Sequence, residues 1–308
     1  MIQSFKNQSY TKNVNYIDEM RLGDEKTLER KRDLRVLSLG AGVQSSTLLF
    51  KMLHGEIEPP DVAIFSDTGN EPQAVYDWLE YLKKQMEGKI KLVIVRNEYN
   101  KGNIIDDFKA EDGRHSLFPL HITKPDGNKG LGRRTCTSEY KIRPLQDWLR
   151  QYFDVVYLRS KHIEMVMGIS LDEIQRAKKP PMKWQVNCYP LIENKITRQD
   201  CKDWMQSKGY PAPPRSACII CPFHSNEEWL HIKNQNEEEF QQAIDFDEWL
   251  RDPNNNSIGM QKFRKYNEDS VPYLHKDRIP LKVANLTKPK EDVAWTLFDD
   301  ECEGMCGV

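Results

Sequence analysis

The sequence predicts an α/β fold built on a doubly wound parallel sheet. Three short apolar segments, residues 36–39, 61–65 and 90–95, have the length and aliphatic content of buried strands. Amphipathic helices are predicted between them, at residues 45–53 and 72–86. Because strands that alternate with helices of this length pair in parallel through crossover connections, the pattern favours one twisted sheet with helices on both faces.

The pattern continues after a break. Residues 109–134 contain four glycines and two prolines and predict a long loop, and such loops in compact enzymes are usually functional. Beyond it we expect a fourth strand at residues 162–168 and a helix at residues 197–208 with Thr197 as its N-cap. An acidic helix is predicted over residues 226–251, followed by irregular structure.

The composition limits the classes of protein that fit. The 308 residues include 45 Lys and Arg against 47 Asp and Glu, a net charge of −2, which excludes a globally basic nucleic-acid coat but leaves room for a local basic patch. No apolar run has the length of a membrane span, and the start has no secretory pattern, so we expect a cytoplasmic protein without a membrane partner. The seven cysteines are then candidates for metal binding or catalysis.

A glycine turn follows the first strand and opens the first helix. Small residues let the backbone approach an anion closely, and a helix N-terminus supplies amide donors and a partial positive charge. We therefore expect a phosphate here; the alternative is an ordinary tight turn of small residues. The candidate nucleotide-binding residues of this turn are Ser38, Gly40, Ala41, Gly42, Gln44, Ser45 and Ser46.

A second candidate segment, Asp67, Thr68 and Gly69, ends the second strand. The carboxyl ends of neighbouring parallel strands meet at one edge of the sheet, where ligands bind, so these residues are placed to line the same nucleotide pocket. The alternative is a simple strand-to-helix turn with Gly69 at positive φ and Thr68 as a cap.

The densest basic cluster in the middle of the chain consists of Arg133, Arg134, Lys141 and Arg143. Phosphate and sulfate oxygens prefer such partners, Arg as a two-pronged donor and Lys as a point charge. We expect Lys141 and Arg143 to contact the ligand as catalytic residues, whereas Arg133 and Arg134 are candidates for contact with a nucleic-acid backbone. A solvated helix face is the alternative for the cluster.

The cysteines form two notable groups. Cys218 and Cys221 have a spacing that lets both thiolates reach one metal, and half a zinc site, a redox dithiol and iron–sulfur ligands all fit it. Cys302 and Cys306 lie in an acidic C-terminal tail, which supplies either a further metal ligand or a nucleophilic thiol, the alternative being a frayed terminus.

These segments, in this order, resemble the motifs of the PP-loop adenine-nucleotide α-hydrolase superfamily. Residues 40–45 are similar to the PP-loop pattern Ser-Gly-Gly-x-Asp-Ser, with Gly40 in place of the first Ser and Gln44 in place of the Asp. Residues 66–71 are similar to the Asp-Thr-Gly turn of phosphoadenylyl-sulfate (PAPS) reductases. The other matching segments are residues 134–145, 168–176, 189–191 and 218–221.

The likeness covers about residues 35–225 and is closest to the PAPS reductase-like branch. Residues 136–141 also resemble the Cys-Thr-x-x-x-Lys segment of DNA-phosphorothioation sulfurtransferases. The fold that the resemblance implies is that of the adenine-nucleotide α-hydrolases. The domains then expected are an N-terminal extension at residues 1–33, a PP-loop nucleotide-binding domain at residues 34–225, and a helical C-terminal region with a cysteine tail at residues 226–308.

The resemblance also implies cofactors and their ligands. The nucleotide would be ATP or PAPS, contacted by Asp172 and Arg176 of the segment 168–176 as well, with Mg²⁺ as a further candidate. Cys136 would join the Cys-x-x-Cys pair as a ligand of a 4Fe-4S cluster, with zinc as the alternative metal and Cys306 as a candidate fourth ligand. Cys302 is similar to the nucleophilic cysteine in the Glu-Cys-Gly-Leu-His tail of PAPS reductases.

Three functions remain open at this point. The leading hypothesis is an enzyme that adenylates an acceptor with ATP and then inserts sulfur, carried by an iron–sulfur cluster or a persulfide, with a nucleic acid as acceptor, as in DNA phosphorothioation. The alternatives are a PAPS or sulfonucleotide reductase that releases sulfite, and a zinc-stapled nucleotide-binding regulatory protein. The partners implied are an adenine nucleotide, a nucleic-acid acceptor, and a cysteine desulfurase or thioredoxin-like donor.

Overall fold

The computed structural model describes four ranges of the chain, residues 31–98, 102–112, 117–180 and 182–287. Almost all of the predicted N-terminal extension, residues 1–33, lies outside the described residues. The predictions for Cys302 and Cys306 fall outside them as well.

The secondary structure of these ranges is as follows. The strands are β1 (Leu34–Ser38), β2 (Val62–Asp67), β3 (Lys91–Arg96), β4 (His121–Thr123), β5 (Lys129–Leu131), β6 (Ile163–Met167), β7 (Gln185–Cys188) and β8 (Val271–Tyr273). The α-helices are α1 (Val43–Leu53), α2 (Gln73–Met86), α3 (Ile104–Lys109), α4 (Arg143–Phe153), α5 (Val155–Leu158), α6 (Pro190–Glu193), α7 (Arg198–Ser207), α8 (Asn226–Gln235), α9 (Glu237–Leu250) and α10 (Ile258–Tyr266). A π-helical turn, Ser138–Ile142, runs directly into α4, and 3-10 turns lie at Leu171–Arg176 and Leu281–Val283. None of the described helices is long and apolar enough to cross a membrane.

Five strands form a parallel sheet in the order β3-β2-β1-β6-β7. The chain moves outward from β1 through β2 to β3 and then returns to the other side of β1 with β6 and β7. The strand order therefore reverses between β1 and β6, and ligands of such sheets bind outside the carboxyl ends of the strands at this point. The predicted doubly wound parallel sheet is confirmed, and the glycine turn follows its central strand.

Both faces of the central sheet are covered. In β1, Leu37 packs in a hydrophobic cluster with residues of α1, α2 and α7, and its neighbour Val36 packs on the opposite face with residues of α4. Both side chains are fully buried. A strand that is buried on both faces needs apolar side chains in both directions, which explains why β1 could be predicted from its continuous apolar run.

A third hydrophobic cluster lies beside a smaller antiparallel sheet of order β5-β4-β8. It joins residues 104–140, which follow β3, to residues 219–286 in the C-terminal part of the chain. Phe108, Tyr140 and Trp229 are fully buried in it. Residues 104–140, between β3 and β6, are therefore packed against the C-terminal part of the chain, whereas α4 of the same segment packs on the central sheet.

The structure differs from the sequence-based prediction in several places. The predicted loop 109–134 contains the hairpin β4–β5, whose three-residue strands are too short and polar to show an alternation. The predicted acidic helix is two helices, because the Asn236 side chain accepts a hydrogen bond from the Glu239 amide and begins α9. The segment beyond it, predicted as irregular, contains α10 and β8.

Candidate functional site

The glycine turn connects β1 to α1 where the strand order reverses. Gly42 is the N-cap of α1, and the Ser46 amide donates to the Gly42 carbonyl at 3.0 Å. The amides of Gln44 and Ser45 precede that bond, and the first turn of the helix contains no acidic residue. The arrangement suits an anion, because amide donors and the positive end of the helix dipole face the same point.

Gly168, directly after β6, packs against this turn. A Cβ atom on Gly168 would lie 2.7 Å from both the amide nitrogen and the Cα of Ser45. Ala41 has a φ of +59°, a left-handed conformation that residues with side chains rarely adopt. The neighbouring strand therefore fixes the shape of the turn through backbone contact.

The three serines among the candidate nucleotide-binding residues have different surroundings. Ser46 is fully buried, and its Oγ accepts a hydrogen bond of 2.9 Å from Trp78 Nε1, so this hydroxyl faces the core. Ser45 Oγ donates to the Gly42 carbonyl at 3.4 Å and stays within the turn. Ser38 is buried at the end of β1.

Gln44 joins the turn to the motif that follows β6. Its Nε2 donates to Glu173 Oε2 at 3.1 Å, and Arg176 Nη1 donates to the same carboxylate oxygen at 2.8 Å. Asp172, predicted as a nucleotide contact, accepts the backbone amide of Arg198 at 2.9 Å. Arg176 therefore lies next to a partner of the glycine turn, whereas the Asp172 carboxylate contacts the first residue of α7.

Asp67 is buried and enclosed by protein donors. It accepts hydrogen bonds from the Gly69 amide at 2.8 Å, from the Tyr76 hydroxyl at 2.9 Å and from Arg96, whose Nε lies 2.8 Å away. Burial and the Asp67 charge raise the pKa of Tyr76, and the hydrogen bond to Asp67 raises the pKa of Arg96. The hydrogen bonds that Asp67 accepts therefore stabilise the turn after β2.

A line of polar contacts runs from the Cys-x-x-Cys pair to the basic motif. Cys218 Sγ donates to Thr68 Oγ1 at 3.3 Å, and Thr68 Oγ1 donates to Glu71 Oε1 at 3.0 Å. Lys141 Nζ lies 3.9 Å from the same Glu71 oxygen, and both side chains are buried. Three predicted site residues therefore meet at the end of β2. They are Thr68, Lys141 and Cys218, which are up to 150 positions apart in the sequence. Sequence reasoning missed Glu71, although it stands within the matched segment 66–71.

The remaining basic residues lie farther along the surface. Arg143 forms ion pairs with Glu139 at 3.3 Å and Asp147 at 3.7 Å, one helical turn away on either side. The Arg133 guanidinium lies 5.5 Å from the centre of the Tyr266 ring, and Tyr266 is 49% exposed. Arg133 and Tyr266 together present a cation and an aromatic face to solvent.

The predicted metal ligands are only partly described. Cys136, Cys218 and Cys221 are all partly exposed, and Cys306 lies outside the described residues. Within the described ranges, no three or more His, Cys, Asp or Glu side chains are grouped so that they could hold a metal ion. The thiol of Cys218 instead donates to a hydroxyl. The described residues alone therefore do not complete the predicted cluster or its zinc alternative.

His224, three residues after the Cys-x-x-Cys pair, is a buried residue that the motifs do not mark. Its Nε2 lies 3.0 Å from the Cys218 carbonyl oxygen, and its ring meets Trp229 edge to face with 4.6 Å between centres. Burial, with a smaller effect of Arg215, lowers the pKa of His224 to about 3. The ring is neutral at ordinary pH, so Nε2 carries the proton and donates to that carbonyl. His224 thereby holds the loop that carries Cys218.

We expect His224 to make the protein sensitive to acid. The unfolded imidazole binds a proton near pH 6.5 and the folded one only near pH 3, so the unfolded chain binds more protons between these values. The free energy of unfolding is therefore highest above pH 6.5. It decreases by up to about 4 kcal/mol as the pH falls toward 3. Urea unfolding between these pH values measures it. His224→Gln should flatten the dependence, whereas His231→Gln, on an exposed position of α8, should leave it steep.

A cavity of about 610 Å³ opens elsewhere on the molecule. Its lining includes Arg35 and Glu164 near the amino-terminal ends of β1 and β6, together with Val186 and Cys188 of β7. None of the predicted site residues that the structure describes lines it. The candidate site is therefore the opposite, carboxyl-terminal edge of the sheet, where the glycine turn, Thr68 and Cys218 lie.

No protein-family model matches the sequence, and a search of curated proteins finds no match either. The chain is similar to a PAPS reductase from Candida auris in a phosphate complex, with a TM-score of 0.39 and 13% identity over 65% of this chain and 88% of that one. It is also similar to the U34-tRNA thiolase NcsA from Methanococcus maripaludis with its 4Fe-4S cluster, with a TM-score of 0.32 and 15% identity over 77% of this chain and 79% of that one.

Proposed function

We propose that the chain is a PP-loop enzyme of the PAPS reductase-like branch, which binds ATP at the glycine turn and uses it to transfer sulfur. One observation carries the proposal: the thiol of Cys218 donates a hydrogen bond to Thr68 at the end of β2. This strand pairs with β1, which leads into the glycine turn. A partly exposed thiol beside an anion site is what a sulfur carrier needs.

The nucleotide part of the proposal depends on the turn between β1 and α1. The amides ahead of the first helical bond and the close contact with Gly168 give a cradle suited to phosphate oxygens. Lys141 adds a buried positive charge, and its carbonyl accepts the Ser66 hydroxyl at 2.8 Å, which ties the basic motif to β2. Phosphate groups would lie at the turn and the adenosine toward the end of β2.

In the proposed reaction an acceptor oxygen attacks the α-phosphorus of ATP and pyrophosphate leaves. Cys218, loaded as a persulfide by a sulfane-sulfur donor such as a cysteine desulfurase, attacks the adenylated carbon or phosphorus with its terminal sulfur, and AMP leaves. A second thiol, for which Cys221 is the candidate three residues on, then attacks the Cys218 sulfur and frees the thiolated acceptor. The resulting disulfide is restored by a dithiol reductant of the thioredoxin type. We choose a persulfide as the sulfur carrier because the Cys218 thiol is partly exposed and lies at the end of β2.

The acceptor that we propose is a nucleic acid. The pairing of the Arg133 guanidinium with the half-exposed Tyr266 ring supports this choice, because an aromatic face can stack on an unpaired base while a neighbouring cation meets its phosphate. Nucleic-acid acceptors are also what the Cys-Thr-x-x-x-Lys resemblance implies for residues 136–141.

The test separates adenylation from sulfur transfer. Pyrophosphate release from ATP and incorporation of labelled sulfur are measured with RNA and DNA acceptors, a desulfurase and cysteine. Cys218→Ser should reduce sulfur incorporation by about 1,000-fold or more while pyrophosphate release continues, because only the carrier is lost. The matched control is Cys188→Ser, a partly exposed cysteine that lines the separate cavity.

Each alternative has its own result. Unchanged sulfur incorporation in Cys218→Ser would remove Cys218 from the proposal. Sulfite released from PAPS, with no pyrophosphate from ATP, would favour the reductase. About four irons per chain after anaerobic purification would restore the cluster as the sulfur carrier. Bound zinc without either activity would favour the zinc-stapled regulatory protein.

A further inference from the structure

Arg198, the first residue of α7, reaches the first turn of α1. Its Nη1 donates to Gln44 Oε1 at 3.0 Å, and its backbone amide donates to Asp172 Oδ1 at 2.9 Å. The start of α7 is itself held by a capping box in which Thr197 and Asp200 bond each other's backbone amides. Arg198 is therefore held at its backbone by Asp172 and at its guanidinium by Gln44, beside the glycine turn.

The side-chain amide of Gln44 explains why Arg198 can lie beside the first turn of α1. A neutral amide has both a donor and an acceptor, and here the donor meets Glu173 at 3.1 Å while the oxygen meets Arg198. A carboxylate at position 44 would have no donor for Glu173 and would repel it. The glutamine thus lets a carboxylate and a guanidinium share one buried residue of the turn.

The carboxylate of Glu173 and the guanidinium of Arg198 contact the two ends of the Gln44 amide. Arg176 pairs with Glu173 at 2.8 Å, so the carboxylate nearest to Gln44 has a cation of its own. The first turn of α1 adds no negative charge. A guanidinium offers a planar fork of donors that matches phosphate oxygens, and it remains charged at any ordinary pH.

We propose that Arg198 binds the phosphates of the nucleotide and that Gln44 is the positioning residue that aims its guanidinium. The inference rests on the proposed function, since it assigns a specificity-determining cation to the same site. It also gives a physical reason for the departure of residue 44 from the PP-loop pattern. The glutamine can accept a hydrogen bond from Arg198 while it donates one to Glu173.

Calorimetric binding of ATP, inorganic pyrophosphate and adenosine tests the inference. Arg198→Met should weaken ATP and pyrophosphate about 10- to 100-fold, the range for a lost charge-assisted hydrogen bond, and leave adenosine unchanged. Arg198→Lys should recover part of the loss as a point charge. Lys202→Met removes one exposed positive charge from the same helix and should change none of the three affinities.

The role of Gln44 is tested by combining its substitution with that of Arg198. Gln44→Leu should weaken pyrophosphate binding in the native chain and add little in the Arg198→Met background, because the two side chains act through one contact. Equal losses in both backgrounds would overturn the positioning role. Unchanged ATP affinity in Arg198→Met, or an equal loss of adenosine, would overturn the phosphate contact while the proposed function stands. A native chain that binds neither ATP nor pyrophosphate would overturn the proposed function and this inference with it.

Discussion

Gly168→Ala is expected to weaken nucleotide binding by at least about 100-fold. The new methyl would lie 2.7 Å from the amide nitrogen and Cα of Ser45, and these are backbone atoms that cannot rotate away. Either the turn or the end of β6 must shift, and a displacement of about 1 Å at a binding group can cost this much. The strain should also lower the free energy of unfolding by about 1–3 kcal/mol. ATP titration and urea unfolding measure the two effects.

The control for this substitution is Gly209→Ala, just after α7. Gly209 has a φ of +74°, and no described atom lies within 4 Å of its ideal Cβ, so alanine there carries the cost of a left-handed backbone, about 1 kcal/mol, without a clash. It should bind ATP as the native chain does. Native ATP affinity in Gly168→Ala would mean that the phosphate lies away from the turn.

Asp247→Ala is expected to destabilise the protein by about 3–5 kcal/mol. Asp247 is buried in α9, where its two oxygens accept from the amides of Leu274 at 2.8 Å and Leu281 at 2.9 Å. It also pairs with Arg251 at 2.6 Å, one turn later on the helix. Alanine would leave two buried amides and a largely buried guanidinium without this acceptor, and an unpaired buried donor is costly. The midpoint of urea unfolding measures the change.

Asp245→Asn provides the matched comparison on the same helix. Asp245 is exposed and accepts from Gln241 at 2.7 Å, so its substitution should change the unfolding free energy by less than about 0.5 kcal/mol. A similar small change in Asp247→Ala would show that the amides of residues 274 and 281 find other acceptors.

The central sheet could be predicted because its signals are local. The segment 36–39 became β1 and the segment 90–95 became β3, since strands covered by helices carry apolar runs that are visible in the sequence. Thr197 was correctly expected as an N-cap because a capping box lies within four consecutive residues. The strand order that brings the glycine turn to the switch point was not predicted and is known only from the structure.

Other elements gave no local signal. β7, an edge strand, contains Gln185 and Asn187, whose side chains bond each other in a buried position and hide the strand pattern. The contact of Arg198 with Gln44 spans 154 residues, and that of Cys218 with Thr68 spans 150. Such pairs depend on how α7 and the cysteine loop pack, and nothing in the neighbouring residues marks them.

The third hydrophobic cluster has a consequence for the order of folding during synthesis. The central sheet is complete once β7, ending at Cys188, has been made, whereas residues 104–140 must wait for residues up to 286 before their apolar side chains are covered. Phe108, Phe118 and Tyr140 would then face water while more than half of the cluster is still being translated. We expect a nascent chain arrested near residue 225 to hold a formed sheet with an exposed apolar flank, a species that chaperones would recognise.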